Sequence, residues 1–242
     1  MDHGPVVISR DGAIATLTLD CPGTANRLDV TLAAALADAC ADVGADDQIR
    51  VVVLVGAGET FAAGVEPLLT LNARPASSIS SLGKPVIAWI EGDCLDMGLE
   101  LALACDVRVA GPASRFGIRH LAWGSLPSDG GTQRLPRLVG RGQALRLLLT
   151  GEVIGADEAL RIGLVQQVGD RDAVDALAGR IAASAPIAAA YVREAATAGL
   201  DLTLEQGLRL EADLSVLLHT TDDRAEGLRA FQEGRPPGFE GR

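Results

Sequence analysis

Residues 85–106 have the sequence PVIAWIEGDCLDMGLELALACD, and this stretch decides the fold. Its apolar run at 86–90 is typical of a buried strand, and the apolar segment 97–105 after Glu91-Gly92-Asp93 predicts a short buried helix. Glu100 is the only charged residue in that helix. A lone carboxylate there is costly unless it has a partner or a chemical task, and the N–H groups at a helix start favour negative charge. The stretch therefore predicts acid–base chemistry beside an oxyanion.

The composition limits the class of protein. The 242 residues carry 32 acidic and 21 basic side chains, a net charge of −11, which argues against nucleic acid and membrane surfaces as partners. No stretch has the apolar length of a membrane span, and the N-terminus has no signal-peptide pattern. The four cysteines lack CxxC spacing and the three histidines are scattered, so neither a metal site nor a disulfide framework is expected. We expect a reduced, cytoplasmic protein.

Strands alternate with helices up to about residue 168. A hairpin around Asp11-Gly12 is predicted for residues 6–19, followed by a helix at 30–43 capped by Asp29. Further strands are predicted at 51–55, 107–110 and 165–168, and further helices at 143–149 and 156–162. After residue 171 the pattern is helical, at 172–184, 186–198, from Thr203 with a Thr203–Gln206 capping box, and from Asp222 to Gly234. This order predicts an α/β core over residues 1–185 and a helical C-terminal region over 186–242.

Five motifs occur in an order that identifies a family. They are FAAGVE, KPVIAWIEGDCLDMGLELALACDVRVA, GSLPSDGGTQRLPRLVG, LLLTGEVIGADEALRIGLVQQV and the tail AFQEGRPPGFEGR. Together they strongly resemble the enoyl-CoA hydratase/isomerase (crotonase) superfamily over nearly the whole chain. The resemblance implies an α/β fold, a crotonase-like spiral of ββα units with a helical C-terminal trimerisation region. It also implies a homotrimer or a homohexamer.

The chemistry that the resemblance implies is stabilisation of an acyl-CoA thioester enolate by two backbone N–H groups. By motif match the donors are the N–H groups of Ala63 and Met97. Only the backbone is needed, so methionine at 97, where the family often has glycine, keeps its donor. Losing one donor of such an oxyanion hole typically costs about 3–4 kcal/mol of transition-state stabilisation.

Two catalytic glutamates position and activate water in the hydratases of this superfamily. Glu100 matches the first of them. The second matches His120, which departs from the hydratase pattern. A histidine can shuttle a proton near neutral pH. It can equally be a surface or pocket-lining residue in a member that has lost efficient hydration.

The remaining candidates are expected to bind the acyl-CoA. They are Arg27, Ala63, Gly64, Val65, Glu66, Gly98, Trp123 and Asp129. Gly64 and Gly98 are expected to allow close approach of the backbone to the thioester. Asp129, at a helix start, is favoured as an N-cap. The segment between Gly64 and Lys84 is shorter than in common family members, which suggests an open site or an unusual acyl group such as a ring.

The favoured function is that of a lyase, an enoyl-CoA hydratase that adds water across the 2,3 double bond of an acyl-CoA thioester. An isomerase or an acyl-CoA hydrolase on the same scaffold is the near alternative, and a non-catalytic acyl-CoA-binding protein is the alternative from another class. Both are favoured by the missing second glutamate. No cofactor is expected, because coenzyme A is part of the substrate.

Overall fold

The computed structural model describes residues 4–64 and 74–242. Ten strands lie within these residues: β1 Val6–Asp11, β2 Ile14–Leu19, β3 Val51–Gly56, β4 Thr60–Ala62, β5 Val86–Ile90, β6 Asp93–Leu95, β7 Val107–Ala110, β8 Arg115–Gly117, β9 Ile154–Gly155 and β10 Gln167–Val168. The α-helices of the same residues are α1 Val30–Ala45, α2 Pro75–Ser80, α3 Met97–Ala102, α4 Gly131–Val139, α5 Arg141–Thr150, α6 Ala156–Arg161, α7 Arg171–Ala182, α8 Pro186–Ala198, α9 Leu204–Leu218 and α10 Asp222–Glu233.

The strands form two sheets. The larger has the order β1-β2-β3-β5-β7-β10, parallel except for the antiparallel β1–β2 hairpin. The smaller has the order β4-β6-β8-β9, with only the β8–β9 pair antiparallel. A long strand of the large sheet is followed by a short strand of the small sheet and then a helix, three times over: β3-β4-α2, β5-β6-α3 and β7-β8-α4. The predicted class, an α/β fold of ββα units, is confirmed.

The repeat follows from the sequence pattern. β3 and β5 are buried along nearly their whole length, as expected for apolar runs in a parallel sheet covered on both faces. Each short strand then turns the chain away from the large sheet. The core contains few large aromatics, Phe61 and Phe116 being the bulkiest fully buried side chains, and consists mainly of leucine, isoleucine, valine and alanine.

Most predicted elements are present, with shifted ends. The hairpin, the helix after Asp29 and the capping box at Thr203 are confirmed, with the Asp29 carboxylate accepting from the Leu32 N–H at 2.8 Å. The helix predicted at 97–105 ends at Ala102. The interruption predicted at residues 91–93 is wrong at its last residue, because Asp93 begins β6.

The chain divides into two compact units, Met1–Ala178 and Gly179–Arg242. The boundary that the sequence suggests, between residues 185 and 186, remains a prediction. In the second unit, the carboxylate of Asp223 accepts hydrogen bonds from the N–H groups of Glu240 and Gly241, at 2.7 and 2.9 Å, and so ties the C-terminal tail to α10.

No single helix in the described part of the chain is both long and apolar enough to cross a membrane. Arg171–Ala182 and Pro186–Asp201 have the length and composition for a span only when taken together, as a pair bent by 106°.

Candidate active site

Glu100 lies in α3, a six-residue helix whose residues are all buried. Its Oε1 accepts hydrogen bonds from the backbone N–H groups of Asp129 and Gly131, both at 2.8 Å. Its Oε2 has no hydrogen-bond partner among residues 4–64 and 74–242. The start of α4 therefore fixes the orientation of the carboxyl group through one oxygen, and leaves the other oxygen for a ligand.

His120 faces that second oxygen. It begins the 3-10 turn His120–Trp123, and its Nε2 lies 3.7 Å from Glu100 Oε2, with both side chains fully buried. This distance is too long for a direct hydrogen bond. Neither ring nitrogen has a hydrogen-bond partner within the described residues. Buried polar atoms without partners are rare and need an explanation. Here two of them, Glu100 Oε2 and His120 Nε2, face each other, which is the arrangement of a site that binds a polar group between two side chains.

Burial shifts the two titrations in opposite directions. It raises the pKa of Glu100, although hydrogen bonds from the Gly131 and Asp129 N–H groups oppose the rise. It lowers the pKa of His120, against the opposing attraction of the Asp96 charge. Both shifts favour the uncharged form of the side chain. The carboxyl group is thus moved towards the pH range in which it can both take up and return a proton, and the imidazole is held neutral.

The first loop of the proposed oxyanion hole differs from the prediction. The Ala63 N–H donates to the Ala25 carbonyl oxygen at 3.0 Å, so it is already used inside the protein. The prediction that the Ala63 N–H is an oxyanion donor is therefore wrong. Gly64 follows with φ +98°, and the exposed Arg27 passes beside it, since a Cβ on Gly64 would lie 3.5 Å from Arg27 Cδ. The next two predicted residues, Val65 and Glu66, lie outside the described residues.

Met97 and Gly98 begin α3 close to that loop. The Met97 N–H makes no hydrogen bond to another described residue. A Cβ on Gly98 would lie 2.1 Å from the Ala62 carbonyl oxygen. Glycine is thus required at 98 for the helix to pack on the end of β4, and its expected role in the approach to the thioester stays a prediction. This packing places the start of α3 against Ala62, the last residue of β4.

Asp129 has a structural role. Its buried carboxylate accepts a hydrogen bond from the Ala76 N–H at 2.7 Å, and therefore caps α2. The predicted capping role is right in kind but wrong in its helix, because α4 begins after Gly130 without a side-chain cap. Burial raises the pKa of Asp129, opposed first by the Ala76 hydrogen bond.

Trp123 lies at the outer side of the pair, with 52% of its surface exposed. Its ring meets the His120 ring edge to face, with centroids 6.3 Å apart and an interplanar angle of 76°. The Arg119 guanidinium carbon lies 5.8 Å from the centre of the Trp123 ring. Trp123 therefore belongs to the wall around His120.

Two residues beside the site were missed in the sequence. Asp96, fully buried, adopts φ +57° and ψ −119° just before Met97, a conformation that suits glycine and costs other residues on the order of 1–3 kcal/mol. Its carboxylate is paired with Arg119, the residue before His120. The available signal was an aspartate at a turn inside an apolar stretch, but its partner lies 23 residues away and no local pattern joins them.

The comparisons with known proteins fit this geometry. The family model described as Enoyl-CoA hydratase/isomerase matches residues 9–242. The chain belongs to the enoyl-CoA hydratase/isomerase family. It is 39% identical to (E)-benzylidenesuccinyl-CoA hydratase of Thauera aromatica, over 98% of this chain and 99% of the relative. It is 35% identical to crotonyl-CoA hydratase of Syntrophomonas wolfei, over 99% of each chain. Its fold matches the crystal structure of enoyl-CoA hydratase from Mycobacterium tuberculosis H37Rv with a TM-score of 0.94, 30% identity and coverage of 99% of this chain and all of that chain.

Membership of the enoyl-CoA hydratase/isomerase family gives the buried pair its context. The two positions at which the family resemblance implied catalytic glutamates, Glu100 and His120, lie together in one buried cluster. His120 is not a surface residue, which removes that interpretation of the substitution. No group of three or more potential metal ligands occurs among the residues that the structure describes.

Proposed function

We propose that this protein is an enoyl-CoA hydratase in which Glu100 and His120 act together on one water molecule. The observation that carries the proposal is the 3.7 Å approach of Glu100 Oε2 and His120 Nε2, both buried and both without a partner among the described residues. A water molecule between these atoms would satisfy both of them. The full-length similarity to two hydratases supports the same reaction.

The steps follow from the charges of the pair. Glu100 Oε2 takes a proton from the water, whose oxygen forms a bond to C3 of the enoyl group. The electrons of the double bond move towards the thioester oxygen, and the Met97 N–H stabilises the developing enolate. Glu100 then returns the proton to C2, for which its raised pKa suits it. His120, kept neutral by burial, accepts a hydrogen bond from the O–H that stays on the attacking oxygen, and so fixes the direction of attack.

Hydration can be separated from the alternatives by isotope labelling. The protein is incubated with crotonyl-CoA in water enriched in heavy oxygen, and the products are analysed by mass spectrometry. A hydratase places the label on C3 of a 3-hydroxyacyl-CoA. A hydrolase places it in a free carboxylate, and an isomerase incorporates none into the product. Unlabelled, unconverted crotonyl-CoA bound tightly to the protein would support a non-catalytic acyl-CoA-binding protein and refute our proposal.

The acyl group is proposed to carry a ring. The relative at 39% identity is named for a benzylidene acyl group, and the short segment between Gly64 and Lys84 would leave an open acyl site. A thermal-shift panel of linear and cyclic acyl-CoA thioesters tests this. Stabilisation by long linear acyl groups alone would contradict it.

We further propose a cytoplasmic homotrimer or homohexamer. In the second unit several large apolar side chains are exposed, including Leu204 at 80% and Phe231 at 86%. Apolar surface of this kind is typical of a protein–protein interface. Sedimentation equilibrium gives the mass, and a monomer at micromolar concentration would refute the assembly.

A further inference from the structure

Asp96 joins the two halves of the proposed active site. It directly precedes Met97, and its Oδ1 accepts the Arg119 backbone N–H at 2.8 Å. Its Oδ2 accepts the Arg119 guanidinium at 2.5 Å, with the guanidinium Nε at 3.4 Å from Oδ1. Arg119 directly precedes His120. A single buried carboxylate therefore ties the residue before the oxyanion donor to the residue before the imidazole.

The backbone at Asp96 is strained, and the strain is held by several contacts. With φ +57° it is one of three non-glycine residues with positive φ in the described chain. Its N–H donates to the Gly117 carbonyl oxygen at 2.8 Å, and its own carbonyl accepts from the Glu100 N–H at 3.1 Å. Glycine would adopt this conformation without cost. The only hydrogen-bonding groups that aspartate adds are the carboxylate oxygens, and both of them bind Arg119.

Arg119 also contacts the surroundings of His120 through its side chain. Its guanidinium lies over the Trp123 ring, and Trp123 in turn packs against His120. The Arg119 side chain thus bridges from Asp96 to the wall of the imidazole. Its backbone and its side chain both limit the positions that His120 can adopt.

We propose that Asp96 and Arg119 form a positioning pair, which holds the Met97 N–H and the His120 imidazole in register about Glu100. The proposal rests on the proposed hydratase function. In this proposal neither Asp96 nor Arg119 touches the reacting atoms of the substrate. Misplacement of reacting groups by about one ångström can slow a reaction on the order of a hundredfold, so the pair acts on rate rather than on the folded state.

The key variant is Asp96→Gly, which removes both carboxylate contacts and relieves the strained φ. Asp96→Asn is the conservative variant, since its side-chain oxygen still accepts the Arg119 N–H. The matched control is Asp93→Asn. Asp93 binds Arg115 in a similar two-point ion pair, at 2.6 and 2.7 Å, across the same β6–β8 ladder but with the arginine exposed.

Three quantities are measured for each variant: the thermal midpoint, kcat and KM for crotonyl-CoA, and the absorption of bound cinnamoyl-CoA. Polarisation of the thioester carbonyl moves the absorption of this conjugated probe to longer wavelength, and the spectrum is recorded immediately after mixing, before the probe is hydrated. We expect Asp96→Gly to unfold at or above the wild-type temperature, to lose about tenfold or more in kcat with KM within about threefold, and to lose most of the probe's shift. Asp96→Asn should keep part of the wild-type kcat and part of the probe's shift, and Asp93→Asn should match the wild type in both quantities.

An unchanged kcat and probe shift in Asp96→Gly would overturn the proposal, as would equal losses in Asp93→Asn. Should Asp96→Gly not fold, Arg119→Ala serves instead, because it keeps the backbone bond to Asp96. An unchanged probe shift and rate in that variant would also overturn the pair. A wild type that shifts the probe but hydrates neither crotonyl-CoA nor cinnamoyl-CoA, with the shift lost in Asp96→Gly, would refute the hydratase and retain the pair.

Discussion

Replacing Glu100 by glutamine removes a base while leaving the shape of the site almost unchanged. The carboxylate Oε1 is held by two backbone N–H groups at 2.8 Å, and the amide oxygen of glutamine can accept both. The amide nitrogen then occupies the place of Oε2, 3.7 Å from His120 Nε2. The opposite orientation would set an NH₂ group against two N–H donors, so the amide adopts one orientation only.

The expected loss of rate follows from this geometry. Acid–base catalysis by a positioned side chain contributes about 10²–10⁴-fold, which corresponds to about 2.7–5.4 kcal/mol at about 1.36 kcal/mol per tenfold. We expect Glu100→Gln to lose kcat in that range, since an amide cannot take a proton from water. KM should change by less than about threefold, because both backbone bonds persist. The thermal midpoint should stay equal or rise, since the buried carboxyl group prefers its neutral form.

The assay is the loss of absorbance of the conjugated enoyl thioester when crotonyl-CoA is hydrated. Glu158→Gln is the control, a half-buried carboxylate on α6 paired with Arg146 and Arg161, and it should keep the wild-type rate. A kcat for Glu100→Gln within about threefold of the wild type would sink the assignment of Glu100 as base. A large fall in thermal midpoint would instead give Glu100 a mainly structural role.

Three further predictions concern the surroundings of Glu100. Burial lowers the pKa of His120 from 6.5, so the stability that the neutral imidazole contributes is present above pH 6.5 and is lost as the pH drops through the folded-state pKa. We therefore expect the free energy of unfolding to decrease less below pH 6.5 in His120→Asn than in the wild type. Urea titrations at acid and neutral pH that show the same decrease in both proteins would contradict this. Asp129→Ala should cost about 1–2 kcal/mol of unfolding free energy in the same assay, because the cap of α2 is lost; an unchanged value would refute the capping role. Gly131→Ala should lower kcat, since its Cβ would lie 3.1 Å from Glu100 Oε1 and 3.0 Å from a proline side chain, whereas Gly142→Ala, with nothing within 4 Å, should leave kcat unchanged; equal kcat in both variants would mean that the start of α4 does not position the carboxyl group.

The long apolar elements could be predicted because their information is local. A run such as Val86–Ile90 is buried on both faces, and its composition alone indicates a central strand. β4, β6 and β8 have three residues each, and no periodicity is visible over so short a length. With the two-residue β9 these strands form the smaller sheet, so the sequence predicted the layers of the fold without its second sheet.

The site could be predicted as far as residue identity decides it. Glu100 stands out because a charged residue in a fully apolar helix is rare. The Ala63 donor was assigned wrongly because a motif does not record where a backbone N–H points, and this one points to Ala25. The Asp96–Arg119 pair is a contact between two turns, and it becomes visible only when β6 and β8 are paired.

Histidine at position 120 can be reconciled with hydration through electrostatics. Two carboxyl groups at this separation could not both be ionised in a buried site, so one would have to hold a proton permanently. A buried glutamate and a buried histidine have no such conflict. Burial raises the pKa of the first and lowers that of the second, and both shifts favour the uncharged side chain. The state with a protonated carboxyl group and a neutral imidazole buries no charge, and the state that begins the reaction differs from it by one proton on Glu100. The absence of the second glutamate was the main argument for a non-catalytic protein. It does not count against catalysis, because His120 lies beside Glu100 Oε2.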